Sequence, residues 1–64
     1  MRVNGTEVSL DRPFTLAEYL EASGYVRDRV AAELNGRIVP RSRYDDTVLA
    51  DEDSIEIVGF VGGG

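Results

Sequence analysis

The sequence predicts an α+β fold in which one mixed sheet is covered on one face by a single helix. Two Asn-Gly dipeptides, Asn4-Gly5 and Asn35-Gly36, each lie between stretches that alternate apolar and polar residues, the pattern of a tight β-hairpin. An amphipathic segment with helix start and stop signals lies between them. The apolar-rich run 55–61 adds a last strand, so the predicted order is β-β-α-β-β-β.

The first hairpin and the helix are specified by local signals. Four apolar residues of the hairpin fall on one face and should point into the core: Met1, Val3, Val8 and Leu10. Thr15 and Glu18 have the spacing of a capping box, which predicts a helix start at this point. Gly24 supplies the stop after Ser23. Three residues on one helical face predict that the helix lies on the sheet: Leu16, Tyr19 and Leu20.

The second hairpin begins with residues 30–34, where Val30, Ala32 and Leu34 should face the core. Pro40 should end the strand that follows the second turn, because proline lacks the N–H that a ladder needs. The polar stretch 41–46 is expected to be irregular, with at most one helical turn. Tyr25 and Tyr44 are both expected to be packing residues.

The last strand presents different side chains on its two faces. Ile55 and Ile57 continue the core pattern, so Val58 and Phe60 should lie on the open face of the sheet. An exposed apolar pair just before the chain end predicts a docking patch for a partner protein. The alternative is a bulge at Gly59 that returns Phe60 to the edge of the core.

Composition excludes several classes of function. The chain has 64 residues, no cysteine and no histidine, which removes thiolate and imidazole chemistry and most zinc sites. A net charge of −5 argues against a nucleic-acid partner. We expect a cytoplasmic protein, since no apolar stretch approaches the ~20 residues of a membrane span. No metal site is predicted, because the loop carboxylates lack calcium-loop spacing: Asp45, Asp46, Asp51, Glu52 and Asp53.

The three glycines that end the printed chain predict the site of chemistry. A tail without Cβ atoms is flexible when free, and it fits extended into a narrow channel. The four residues from Val61 to Gly64 would span at most about 13–14 Å, enough to bring the Gly64 carboxylate into a neighbouring active site. The alternative is a frayed end without function. We expect a domain over residues 1–61 and a flexible tail over 62–64.

These segments, in this order, resemble the ThiS family of sulfur carrier proteins, which have the ubiquitin-like β-grasp fold. The resemblance covers the whole chain. The segments that carry it are Val3-Asn4-Gly5, Leu34-Asn35-Gly36, Ile38-Val39-Pro40-Arg41, Asp51-Glu52-Asp53, Ile55-Glu56-Ile57-Val58, and Phe60-Val61-Gly62-Gly63-Gly64.

The resemblance implies a sulfur cycle at Gly64. Its carboxylate would be adenylated by a ThiF-type partner, which uses ATP and Mg. Sulfur from a cysteine desulfurase or another persulfide donor would then give a thiocarboxylate, the sulfur donor to thiazole synthase, ThiG, in thiamine biosynthesis. The chain itself would bind no cofactor and would be a carrier rather than an enzyme. The expected partner-binding residues are Gly63, Gly62, Val61, Phe60 and Val58.

Two alternatives remain open from the residues. One is the small subunit of molybdopterin synthase, MoaD, which shares the fold and the diglycine end but usually runs longer. The other is a β-grasp interaction module whose glycine end does no chemistry. Deleting Gly64 separates a carrier from such a module.

Overall fold

A computed structural model of the chain describes residues 1–59. Its helix and strands follow the predicted order with two added strands, β3 and β6, and two 3₁₀ turns. In chain order they are β1 (Arg2–Val3), β2 (Thr6–Glu7), β3 (Phe14–Thr15), α1 (Leu16–Ala22), a 3₁₀ turn (Arg27–Arg29), β4 (Val30–Leu34), β5 (Arg37–Ile38), a second 3₁₀ turn (Arg41–Arg43), β6 (Val48–Leu49) and β7 (Ser54–Gly59).

The main sheet has five strands in the order β2-β1-β7-β4-β5. Strand β7 pairs parallel with β1, where Val3 faces Ile55, and antiparallel with β4 over the whole of β4. The first and last strands are therefore neighbours inside a mixed sheet, as predicted. This arrangement, with α1 on one face, is the β-grasp fold.

Strands β3 and β6 form a second, two-stranded sheet that the sequence analysis did not predict. Phe14 pairs with Leu49 and Thr15 with Val48. Each strand is two residues long, and its partner lies more than thirty residues away in the chain, so no local pattern marks it. The short helical turn expected within 41–46 is present as the second 3₁₀ turn.

The start of α1 is held by both local and distant groups. The capping box is complete, because the Glu18 N–H donates to the Thr15 hydroxyl at 3.1 Å and the Thr15 N–H donates to the Glu18 carboxylate at 2.9 Å. The N–H groups of Leu16 and Ala17 donate to backbone carbonyls of the 44–47 loop at 2.7 and 3.0 Å. All four N–H groups at the start of the helix, those of residues 15–18, are thus satisfied. Gly24, with φ +84°, follows the helix as predicted.

Both Asn-Gly hairpin turns are confirmed. Asn4 and Asn35 have φ values of +51° and +52°, and the glycines that follow them have values of +84° and +86°. Positive φ at both central residues is the requirement of a type I′ turn, which asparagine and glycine tolerate better than other residues.

The core lies between α1 and one face of the sheet. Its buried residues are Met1, Leu16, Leu20, Val30, Ala32, Tyr44, Leu49, Ile55 and Ile57. Tyr44 is a packing residue, as expected, but Tyr25 is 38% exposed, so its predicted packing role is wrong. It follows the helix stop and lies at the surface. Within residues 1–59, no helix has the length and apolar content needed to cross a bilayer.

Candidate functional site

Strand β7 separates a core face from an open face, as side-chain alternation predicted. Ile55 and Ile57 are 1% and 7% exposed, whereas Val58 is 59% exposed. The predicted site residues Phe60, Val61, Gly62, Gly63 and Gly64 lie outside the described residues, and so does the proposed split between domain and tail. The predictions for them stay predictions.

The open face around Val58 combines apolar side chains with two carboxylates. Ala31 pairs with Val58, and in the next row Glu33 pairs with Glu56 on one side and with Ile38 on the other. Ile38 is 75% exposed. Over residues 1–59, neither glutamate has an ion-pair partner. Like charges directly opposite each other across a sheet are unfavourable, so stability does not explain this face.

The two halves of β7 differ in how they are supported. The first half lies between two strands, since β1 pairs with Ser54 and Ile55, and the Asn4 side-chain oxygen accepts a 2.7 Å hydrogen bond from the Ile57 N–H. The second half, Val58 and Gly59, is paired with β4 alone. The register is regular through Gly59, which faces Val30, so the described strand contains no bulge.

The beginning of β4 is held by side chains instead of a neighbouring strand. The antiparallel ladder of β4 and β5 continues to a 2.9 Å bond from the Val39 N–H to the Ala32 carbonyl. In this register the next donor would be the backbone N–H of Arg41, but the chain turns away at Pro40. The Val30 carbonyl instead accepts from Arg41 Nη2 at 3.1 Å and from the Tyr44 hydroxyl at 3.5 Å.

Arg27 and Arg41 bind each other's backbone. Arg27 Nη2 donates to the Arg41 carbonyl at 3.0 Å, and Arg41 Nε donates to the Arg27 carbonyl at 3.2 Å. Arg27 Nη1 also lies 3.1 Å from both carboxylate oxygens of Asp45. The hydrogen bond to Asp45 raises the pKa of Arg27 above its ordinary value. The sequence analysis missed this cluster; its one signal is an arginine directly after a strand-ending proline.

A metal centre and a ligand-sized cavity are the two kinds of site to consider in the described residues. Over residues 1–59, no group of three or more Asp or Glu residues is placed to hold a metal ion, and the whole sequence lacks cysteine and histidine. An open groove of about 410 Å³ is lined by residues 10–13 and 48–51, none of which belongs to β7.

Comparison with known proteins decides the family. The model of the ThiS family matches residues 1–64. The chain belongs to the ThiS family. Sulfur carrier protein ThiS of Bacillus subtilis is 35% identical over 65 residues, which cover all of this chain and 98% of that protein.

This ThiS-family chain is also similar to part of a longer protein and to a solved structure. A thiazole synthase of Paramagnetospirillum magneticum is 39% identical over 62 residues, covering 97% of this chain and 19% of that protein. The chain thus spans about one fifth of that relative. The crystal structure of thiamine biosynthesis protein ThiS from Geobacter metallireducens superposes with a TM-score of 0.82 at 33% identity, covering 98% of this chain and 96% of that one. The ThiS-like β-grasp fold is therefore confirmed.

Proposed function

We propose that this ThiS-family chain is a sulfur carrier of thiamine biosynthesis whose reactive group is the carboxylate of Gly64. The observation that carries the proposal is the family match, which includes residues 60–64 as well as the folded part. The near-complete coverage of the B. subtilis sulfur carrier supports it further.

The proposed chemistry begins with activation of the carboxylate. A terminal carboxyl group is ionised at neutral pH and resists nucleophiles, so a ThiF-type partner with ATP and Mg must activate it. A carboxylate oxygen attacks the α-phosphorus of ATP and pyrophosphate leaves. The terminal sulfur of a persulfide, supplied through a cysteine desulfurase, then attacks the acyl carbon and AMP leaves. A thiol breaks the resulting acyl disulfide, becoming oxidised to a disulfide, and the thiocarboxylate remains.

The proposed role of the folded part is to present the tail. Val58 and Ile38 offer exposed apolar side chains on the open face, and Val58 lies two residues before Phe60. Glu33 and Glu56 between them would suit a partner with a basic residue at this position. Phe60, Val61, Gly62 and Gly63 are proposed to follow into the partner's channel, where residues 62 and 63 need little width.

We further propose thiazole synthase as the acceptor of the sulfur. The support is that a thiazole synthase of P. magneticum contains a segment similar to this whole chain in a protein about five times longer. That thiazole synthase thus includes a carrier-like segment in its own polypeptide. In this chain the corresponding contact would be made through the open face and the tail.

The intact mass of the protein tests the function. The full chain is incubated with ATP, magnesium, a ThiF-type enzyme and a persulfide source, and the last tryptic fragment is then analysed. The expected increment equals the replacement of one oxygen by sulfur, located in that fragment. An unchanged mass, with the partner shown active on another carrier, would contradict the proposal and favour the molybdopterin alternative or an interaction module.

A further inference from the structure

The last two described residues of β7 depend on a short chain of supports. Val58 and Gly59 pair with Ala31 and Val30 of β4, and β1 does not extend along them. Within residues 1–59, strand β4 has no strand neighbour on its other side at Val30, because β5 has already ended. The position of Gly59, the last described residue before the tail, is therefore only as firm as the first residues of β4.

Arg41 replaces the missing strand at that position. Its guanidinium provides the donor to the Val30 carbonyl, at 3.1 Å, which the backbone N–H of residue 41 would have provided had β5 continued. The same guanidinium reaches the Arg27 carbonyl at 3.2 Å. A planar guanidinium can bind two carbonyls at once with little further loss of freedom, whereas a lysine ammonium lacks this fixed geometry.

Arg27 in turn keeps Arg41 in place. It binds the Arg41 carbonyl at 3.0 Å and is itself oriented by the Asp45 carboxylate. The contacts join the two 3₁₀ turns, which lie on either side of the β4-β5 hairpin. The support of the tail thus runs from Asp45 through Arg27 and Arg41 to Val30.

We propose that Arg41 is a positioning residue for sulfur transfer, which fixes the start of the C-terminal tail by bracing Val30 against Gly59. This inference rests on the proposed function. Its physical basis is that placing a reacting group within a channel depends on where the chain enters it, and a displacement of about 1 Å can cost up to about 100-fold in rate. In this account Arg41 acts through β4 and β7.

The test uses the full chain with Arg41→Gln, and Arg43→Gln serves as the matched control. Arg43 lies in the same 3₁₀ turn and is exposed, so its replacement makes the same change in charge without removing the brace. Thr15→Ala is the control for stability, because it removes a helix cap far from β7 in the chain. All variants are assayed at a temperature at which each is fully folded.

Two readouts are measured on each variant. Hydrogen exchange should be faster at the amides of Ala31 and Val58 in Arg41→Gln, while the amides of Arg2 and Val3 keep their rates. In adenylation by a ThiF-type enzyme, followed by pyrophosphate release, kcat should fall about tenfold with little change in KM, since the open face is intact. Both controls should stay within about twofold of the parent.

A merely structural role predicts a different result. If Arg41→Gln keeps the kcat of Arg43→Gln, or loses no more than Thr15→Ala, the proposal is wrong. Should Arg41→Gln fail to fold, Arg27→Gln takes its place, because it removes the contact that orients Arg41, and a smaller loss of kcat is expected. Failure of the parent chain to be adenylated would instead contradict the proposed function, and the exchange measurement would still test the brace.

Discussion

The two halves of β7 have different roles: the first half is part of the core, and the second half supports the residues that follow it. Ser54 and Ile55 pair with β1, Ile55 to Ile57 pair with β4, and both isoleucines are buried, whereas Val58 and Gly59 are exposed and, among the described residues, pair with β4. The first half stabilises the fold. The second half leads to the proposed reactive tail, so its geometry must be secured by other means, here the Asn4 amide oxygen at the adjoining Ile57 and the Arg41 guanidinium behind β4.

The largest predicted effect is the loss of stability when a core side chain in the first half of β7 is removed. Ile55→Ala removes a side chain that is 1% exposed at the centre of the sheet, and we expect a loss of about 2–5 kcal/mol in the free energy of unfolding, from lost burial and the cavity that remains. Urea unfolding measures it. A loss below about 1 kcal/mol would contradict the role of Ile55 as a central core residue.

A smaller effect is expected where Asn4 braces the junction of the halves. Asn4→Gly keeps a turn residue that tolerates positive φ but removes the oxygen that accepts from the Ile57 N–H, which should cost about 1–2 kcal/mol. Asn4→Asp is the control, because it retains an acceptor oxygen at that position. Equal losses in the two variants, by thermal unfolding, would show that the hydrogen bond to Ile57 contributes little.

Hydrogen exchange in the unsubstituted chain compares the protection of the two halves of β7 directly. The Ile57 amide is bonded to Asn4 within the supported half, so it should exchange on the order of tenfold more slowly than the Val58 amide in the half with one neighbour. Two-dimensional NMR in deuterated water provides both rates. Equal protection would mean that the end of β7 is as firmly held as its middle.

The smallest effect on stability is expected at Val58. Since its side chain is 59% exposed, Val58→Ala should change the free energy of unfolding by less than about 0.5 kcal/mol. The KM for adenylation by the ThiF-type partner should rise, because the docking surface loses apolar area. Val48→Ala, at another exposed valine, is the matched control. An unchanged KM for Val58→Ala would remove this residue from the docking surface.

Local rules predicted much of this fold, because the relevant partners are close in the chain. The capping box at Thr15, the turns at Asn4 and Asn35, and the outward direction of Val58 all follow from spacing and parity. Of the predicted site, Val58 is the residue that the described structure confirms as exposed; its role in docking stays a prediction.

The missed features depend on contacts between distant residues. Strands β3 and β6 are too short to leave an alternating pattern, and their pairing joins residues 14 and 49. The brace consists of side-chain bonds to carbonyls 11 and 14 residues away, which no periodicity records. Pro40 showed that the ladder would end, but only the register of β4 and β5 shows that Arg41 takes the vacant bonding position.

The central claim is that the chemistry takes place at Gly64 while the folded part presents it. The most direct test compares the full chain with a chain lacking Gly64 in ATP–pyrophosphate exchange catalysed by a ThiF-type enzyme, with the affinity for that enzyme measured in parallel. We predict that the full chain supports exchange, and that the shortened chain binds with similar affinity but supports none. Equal exchange with both chains would contradict the claim, because the reactive carboxylate would then not be that of Gly64.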